Sequence, residues 1–257
     1  MFSANILIAW SLIPGTAGFV IFGSLSDRIG RKKIILAGCL LAAVSSFPVF
    51  KAITALANPT LHAAQQNTKV TIMADPADCS FQFNPVGTAK FTQSCDVAKA
   101  LLARSSVNYS VQYTPGVLPA KVMVGATEIQ SYSSAGLSGD AVKATPAAST
   151  KSVNEALSSA SYPAPDKPAE GIVKLNSIFN VFNSQTFPLV LLLTYLVVLV
   201  SMVYSPIAAA LVKLFPTRIC YTGMSLPYHI GNSWFGGLIP ATAFAMIAQT
   251  GDPYYGL

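Results

Sequence analysis

Two runs without a charged side chain, Met1 to Ser26 and Ile34 to Phe50, meet at the cluster Gly23-Ser-Leu-Ser-Asp-Arg-Ile-Gly-Arg-Lys-Lys33. Nothing else in the chain restricts its fold as strongly. An acid, four bases and two glycines squeezed between long apolar runs read as a tight turn between two membrane helices, its charges held where the hydrocarbon ends. Composition agrees: 52% of residues are hydrophobic and 10% charged, against roughly 25% charged in an ordinary soluble domain. The net charge of +6 follows the loops and implies no nucleic-acid partner.

Four stretches are expected to span. Phe2 to Leu25 covers about 36 Å as a helix, enough for a hydrocarbon core of about 30 Å, with Pro14-Gly15 interrupting it midway. Its bases follow the apolar run, the reverse of a secretory leader. Ile34 to Leu56 carries only Lys51, near its far end, where a long side chain reaches the headgroups, and Pro48 is expected to bend its last turns. Phe187 to Val212 has no acid or base at all. Gly223 to Gln249 is more polar, with Gly, Pro, Tyr, His and Asn along it, and is the expected wall of a pathway because lipid penalises such groups.

Orientation follows the bases. Arg28, Arg31, Lys32 and Lys33 mark one turn, and Lys213 with Arg218 mark another, so both are expected in the cytoplasm. The segment 57–186 then lies outside, and with Lys51 included it holds ten bases against eight acids. Its pattern predicts a small α+β domain, with strands at Thr68 to Met73 and Lys121 to Ile129 and helices at Cys95 to Arg104 and Thr150 to Ala160. Ser131 to Pro168 is rich in Ser, Ala, Pro and Gly. Gly171 to Phe182 places Ile172, Leu175, Ile178, Phe179 and Phe182 as the stripe of an amphipathic helix on the outer leaflet. Cys79 and Cys95 fall in this segment, where an oxidising compartment allows a disulfide; two unpaired thiols are the alternative. Cys39 and Cys220 are read as packing residues. His62 and His229 stand too far apart to complete a metal site, and none is expected.

Gly23-x-Leu25-x-Asp27-Arg28-x-Gly30-Arg31-Lys32 resembles the signature loop of the major facilitator superfamily. Phe215-Pro-Thr-Arg-Ile-Cys-Tyr-Thr-Gly-Met-Ser-Leu-Pro-Tyr-His-Ile-Gly-Asn232 is similar to its metabolite:proton symporter branch, as are Asp75-Pro-Ala-Asp-Cys79 and Phe83-Asn-Pro-Val-Gly87 in the insertion. Cys220 departs from the branch, which tends to carry an arginine there. The resemblance implies an all-α membrane protein: four transmembrane helices of a major-facilitator-type bundle, corresponding to the eighth to eleventh of twelve, with a small α+β periplasmic insertion. The implied division is 1–56 with its loop at 23–33, the insertion 57–186, and 187–257 with a loop at 213–222. It further implies a multi-pass protein of the bacterial inner membrane, a fragment lacking its N-terminal half, whose parent moves a small organic acid or related metabolite with protons by alternating access.

On this resemblance Gly23, Leu25, Asp27, Arg28, Gly30, Arg31 and Lys32 form a conformational latch. Gly23 and Gly30 allow close approach, and Asp27 is expected at the start of the next helix, accepting its backbone N–H groups. Arg218 is the second cytoplasmic anchor. Tyr228, His229, Asn232 and Trp234 concentrate hydrogen-bonding capacity in the fourth span, and Tyr195, Tyr204, Asn5 and Trp10 are weaker cavity residues. His229 is the only imidazole at membrane depth, and no Asp or Glu lies within a span, so a coupling carboxylate belongs elsewhere in the parent. The expected partners are a metabolite, the lipid bilayer and the missing half; no cofactor is expected beyond the coupling proton. The alternative is a helix-anchored periplasmic module that binds a ligand or partner without transport. An enzyme is not expected, because no nucleophile elbow, phosphate loop or HExxH occurs. Asn108-Tyr-Ser110 forms a glycosylation sequon, a match frequent by chance.

Overall fold

A computed structural model describes residues 2–84, 90–163, 173–175, 177–216 and 218–255. Residues 85–87 of the Phe83 to Gly87 motif, 164–172 and Thr217 lie outside these, as does the side chain of Cys220. The chain divides into two compact units, 1–58 with 173–235 and 59–172 with 236–257. The units cut the chain elsewhere than the expected three-part division: residues 57, 58 and 173–186 fall in the first unit, and 236–257 in the second.

The first unit is helical. α1 (Phe2–Ile29), α2 (Arg31–Ala57) and α6 (Phe187–Leu214) are each long and apolar enough to cross a membrane, and α6 packs against both others. α1 continues through Pro14 and α2 through Pro48. Each proline lacks the N–H that would bond the carbonyl four residues back, so Pro14 frees Trp10 O and Pro48 frees Val44 O, and both helices run on regardless. α7 (Cys220–Thr250) is an unbroken helix, but it is not among the apolar spans, so three such helices are present among the described residues where four were expected. Tyr228, His229 and Asn232 dilute its apolar content. Its first half lies in the helical unit and its second half in the other.

Small residues set the approach of α6 to α1. A Cβ on Gly15 would collide with the Val197 side chain, one on Gly18 would come within 2.7 Å of the Ser201 hydroxyl, and one on Gly23 within 3.0 Å of the Ser205 hydroxyl. Val197, Ser201 and Ser205 recur every fourth residue and so share one face of α6. Ser205 Oγ donates to Phe19 O at 2.7 Å, a hydrogen bond between helices that suits an apolar solvent. Gly38 on α2 is confined in the same way by Val203 and Met202.

Residues 177–186, which include the last half of the expected amphipathic helix 171–182, form turns and bends. Asn180, Asn183 and Ser184 favour turns because their side chains compete for nearby backbone groups. The apolar residues still sort by burial: Leu175 and Val181 pack with Ile6 and Leu7, while Ile178, Phe179 and Phe182 face outward.

The second unit is a four-stranded sheet with helices. α3 (Pro59–Asn67) leads to β1 (Val70–Ala74), followed by α4 (Ser94–Arg104), β2 (Tyr109–Tyr113), β3 (Lys121–Val124), β4 (Thr127–Gln130) and α5 (Ala141–Ser159). The order is β2-β1-β3-β4, with β1 parallel to β2 and antiparallel to β3. The strand expected over Lys121 to Ile129 is a hairpin instead. Gly125, at φ +59°, reverses it where a side chain would be strained. α3 and β2 had no clear signal in the sequence. The core joins Val70, Ile72, Val122 and Val124 to Ala98 and Leu102 of α4 and Val153 and Leu157 of α5.

Candidate functional site

Gly30 separates α1 from α2 at φ +108°, a conformation open to glycine and costly for other residues. This one-residue break leaves Asp27 in the last turn of α1, so its carboxylate does not cap α2 as expected; the Ncap of α2 is Gly30, with no side-chain bond. Asp27 instead accepts from Arg31 Nη2 at 2.8 Å and Nε at 3.3 Å. Arg31 Nη1 donates to Ala209 O of α6 at 2.5 Å. One guanidinium therefore ties the ends of three helices together.

Magnitudes rank these contacts. The Asp27 side chain is 63% exposed, and an exposed ion pair contributes about 0.5 kcal/mol. The partly buried bond from a cation to a carbonyl is worth roughly 1.5–3 kcal/mol. Arg31 is the keystone and Asp27 its orienting partner. Arg28, Lys32 and Leu25 are exposed, as is Arg218 in the turn before α7.

A groove of 290 Å³ lies between the second half of α6 and the first half of α7, lined by Tyr204 and Leu211 on one side and Tyr221, Met224, Tyr228 and His229 on the other. An adjoining hollow of 190 Å³ shares Tyr204 and Tyr228 and reaches Asn232. The Tyr228 and His229 rings meet edge to face at 6.0 Å. Four expected pathway residues thus come together: Tyr204, Tyr228, His229 and Asn232. Tyr195 does not join them, since its hydroxyl donates to Ser45 Oγ of α2 at 3.0 Å, and neither hollow includes Trp234, which is 66% exposed. The groove offers phenols, an amide and an imidazole without a fixed charge. It suits hydrogen bonding to a polar solute. Asn5 and Trp10 line a separate apolar groove.

In the second unit Cys79 and Cys95 form a disulfide. Cys39 is an exposed thiol on α2 and does not pack within this chain. Of the residues around the disulfide, Asp75 and Asp78 stand in the Asp75 to Cys79 motif, while Ser80, Ser94 and Asp96 carried no sequence signal of their own. Asp78 accepts from Ser94 Oγ and from Cys95 N at 2.9 Å. Asp96 accepts from Ser80 Oγ and from Ser80 N at 2.9 Å. Two buried carboxylates thereby hold the chain on either side of the disulfide. Asp75 receives Gly116 N at 2.7 Å and Ala77 N at 2.9 Å, and these donors hold its carboxyl below the usual range.

Lys99 is completely buried and donates to Gln249 Oε1 at 3.0 Å. Burial lowers its pKa, and the Asp96 charge partly restores it. Gln249 Nε2 passes the chain on to the Tyr113 hydroxyl at 3.1 Å. Tyr109 donates its hydroxyl to Ala248 O at 2.6 Å and its N–H to Gly251 O at 3.1 Å. The sheet domain thus takes the end of α7 into its own body. Chain distance hides this, because Lys99 and Gln249 are 150 residues apart.

Among the described residues no cluster of three or more His, Cys, Asp or Glu is placed to hold a metal ion. No family model matches the chain, and no curated protein or solved structure matches it.

Proposed function

We propose that the chain is part of a secondary active transporter of the major facilitator type, moving a small organic acid or related metabolite with protons across a bacterial inner membrane. The observation that carries this reading is the Arg31 side chain, which bonds both Asp27 and the Ala209 carbonyl and so closes the ends of three apolar helices. A bond of this kind can open and close as helices shift, biasing two conformations by its own free energy. The groove at Tyr204, Tyr228, His229 and Asn232 supplies hydrogen-bonding groups for a solute, and a second helical half of the carrier would close the pathway. The sheet domain lies on the periplasmic side, where its disulfide persists.

The independent-module reading is disfavoured by the way the sheet domain incorporates the end of α7: Lys99 and Tyr109 bond it directly. The test is proton-driven uptake of labelled carboxylates in vesicles carrying the chain expressed with its flanking reading frame. Arg31→Gln is expected to cut uptake about tenfold, the equivalent of losing roughly 1.4 kcal/mol from the working state, while membrane insertion persists. Asp27→Asn should cost less. Uptake unchanged by Arg31→Gln would remove the clasp from the mechanism.

A further inference from the structure

The loop that enters α6 makes an apolar surface for which the transport reading has no use. The Trp10 indole donates Nε1–H to Ile178 O at 2.8 Å and meets Phe179 and Phe182 edge to face, at 6.5 and 5.5 Å. Leu175 and Val181 anchor this segment in the core with Ile6 and Leu7. Phe179 is nevertheless 75% exposed, Phe182 68% and Ile178 56%. Beside them runs a groove of 380 Å³ lined by Ile6, Ala9, Trp10, Ile13, Asn5 and Ile178. It follows α1 for about 12 Å at roughly 1.5 Å per residue.

Depth identifies what covers it. Asp27 and Arg31 mark one membrane boundary, and Trp10 stands 17 residues along α1 from Asp27, or about 26 Å. On α6 the level of Arg31 is Ala209, which it bonds, and Phe187 lies about 33 Å farther along. Against a hydrocarbon core of about 30 Å, both aromatics fall at the opposite membrane–water interface, where Trp and Tyr rings settle. Farther out, Leu175 N bonds the Ser3 hydroxyl at 3.0 Å. The neighbouring Lys174 is exposed, which puts a cation about 10 Å beyond Trp10, at headgroup level. The inner end of the groove at Ile13, the indole along its wall and the cation beyond its Asn5 end lie in the order in which a phospholipid presents its acyl chain, ester region and phosphate.

We propose that this groove seats one acyl chain of a phospholipid whose phosphate faces Lys174, with the 177–186 turns lying in the interface. The proposal rests on the three-helix membrane reading, and the test separates the two. The full chain carrying W234F, with Trp10 as its sole tryptophan, is placed in phosphatidylcholine vesicles whose acyl chains are brominated either near the glycerol or near the methyl end. Bromines near the glycerol should quench Trp10 about twofold more than those near the methyl end. Ala9 is exposed, so Ala9→Phe fills the groove without disturbing packing and should halve the quenching. Equal quenching at both depths, or stronger quenching near the methyl end, overturns the interfacial placement. Quenching unaltered by Ala9→Phe overturns the seated chain. No quenching from either lipid overturns the membrane reading itself.

Discussion

The helical unit and the sheet unit are built inside out with respect to each other. On α1 and α2 the large apolar side chains point away from the protein: Val20 is 75% exposed and Val44 71%. Glycines on α1 and α2 let Val197, Ser201, Ser205, Met202 and Val203 of α6 come close. In the sheet unit Val70, Ile72, Val122 and Leu102 are buried, and acids and amides do the joining. Lipid supplies no hydrophobic force between helices, so small residues that permit close approach decide their packing. Water supplies that force, so a conventional core suffices for the sheet. One chain therefore answers to two solvents, and α7 belongs to both units.

Gly251 offers the most severe test of this difference. It sits at φ +76°, and a Cβ there would collide with Tyr109 O, against backbone that cannot give way. Gly251→Ala is expected to cost about 4 kcal/mol or more of sheet-unit stability while leaving α1, α2 and α6 intact. Hydrogen exchange of β2 against α1 would read this directly; equal loss of protection in both would show that the two units unfold as one.

Reduction of Cys79–Cys95 comes next. With a sequence separation of 16, the cross-link is worth roughly 3 kcal/mol. Reducing agent should lower the midpoint of sheet unfolding without altering the helical signal, and mass spectrometry without reductant should recover the linked peptide.

The smallest effect distinguishes the units through pH. Burial lowers the Lys99 pKa from its ordinary value of 10.5, so below that value the unfolded chain holds the proton more firmly than the folded domain. Stability conferred by this group therefore rises as pH increases through the folded pKa towards 10.5,. Relative to the parent, Lys99→Met should lose ground as pH rises towards 10.5, because only the parent gains stability from giving up the proton,. Buried Tyr109 and Tyr162 are shifted upward and act in the opposite sense at alkaline pH, so the readout is the difference between the two proteins and not the absolute stability. A difference that stays constant across the range would place the effect in packing.

Much of the helical unit is legible in the residues alone, because solvent writes on sequence locally. A charge-free run longer than the bilayer, ended by Arg and Lys, needs no distant information to be read, and Gly30 marks the turn by its type alone. The same local reading misjudges α7, whose average polarity conceals two halves with different surroundings. It also makes a helix of residues 177–182, where Asn180 and Asn183 favour turns.

Side-chain chemistry and short spacing were enough to establish the three apolar helices, the basic turn between α1 and α2, and the pair of cysteines available for a bond. Folding in three dimensions was needed to bring Arg31 to Ala209, to join Tyr204 with Tyr228 and His229 while Tyr195 turns to Ser45, and to let Lys99 and Tyr109 hold the end of α7. Those pairings lie between 24 and 178 positions apart along the chain. Their energies depend on burial and hydrogen-bond geometry, which no periodicity encodes.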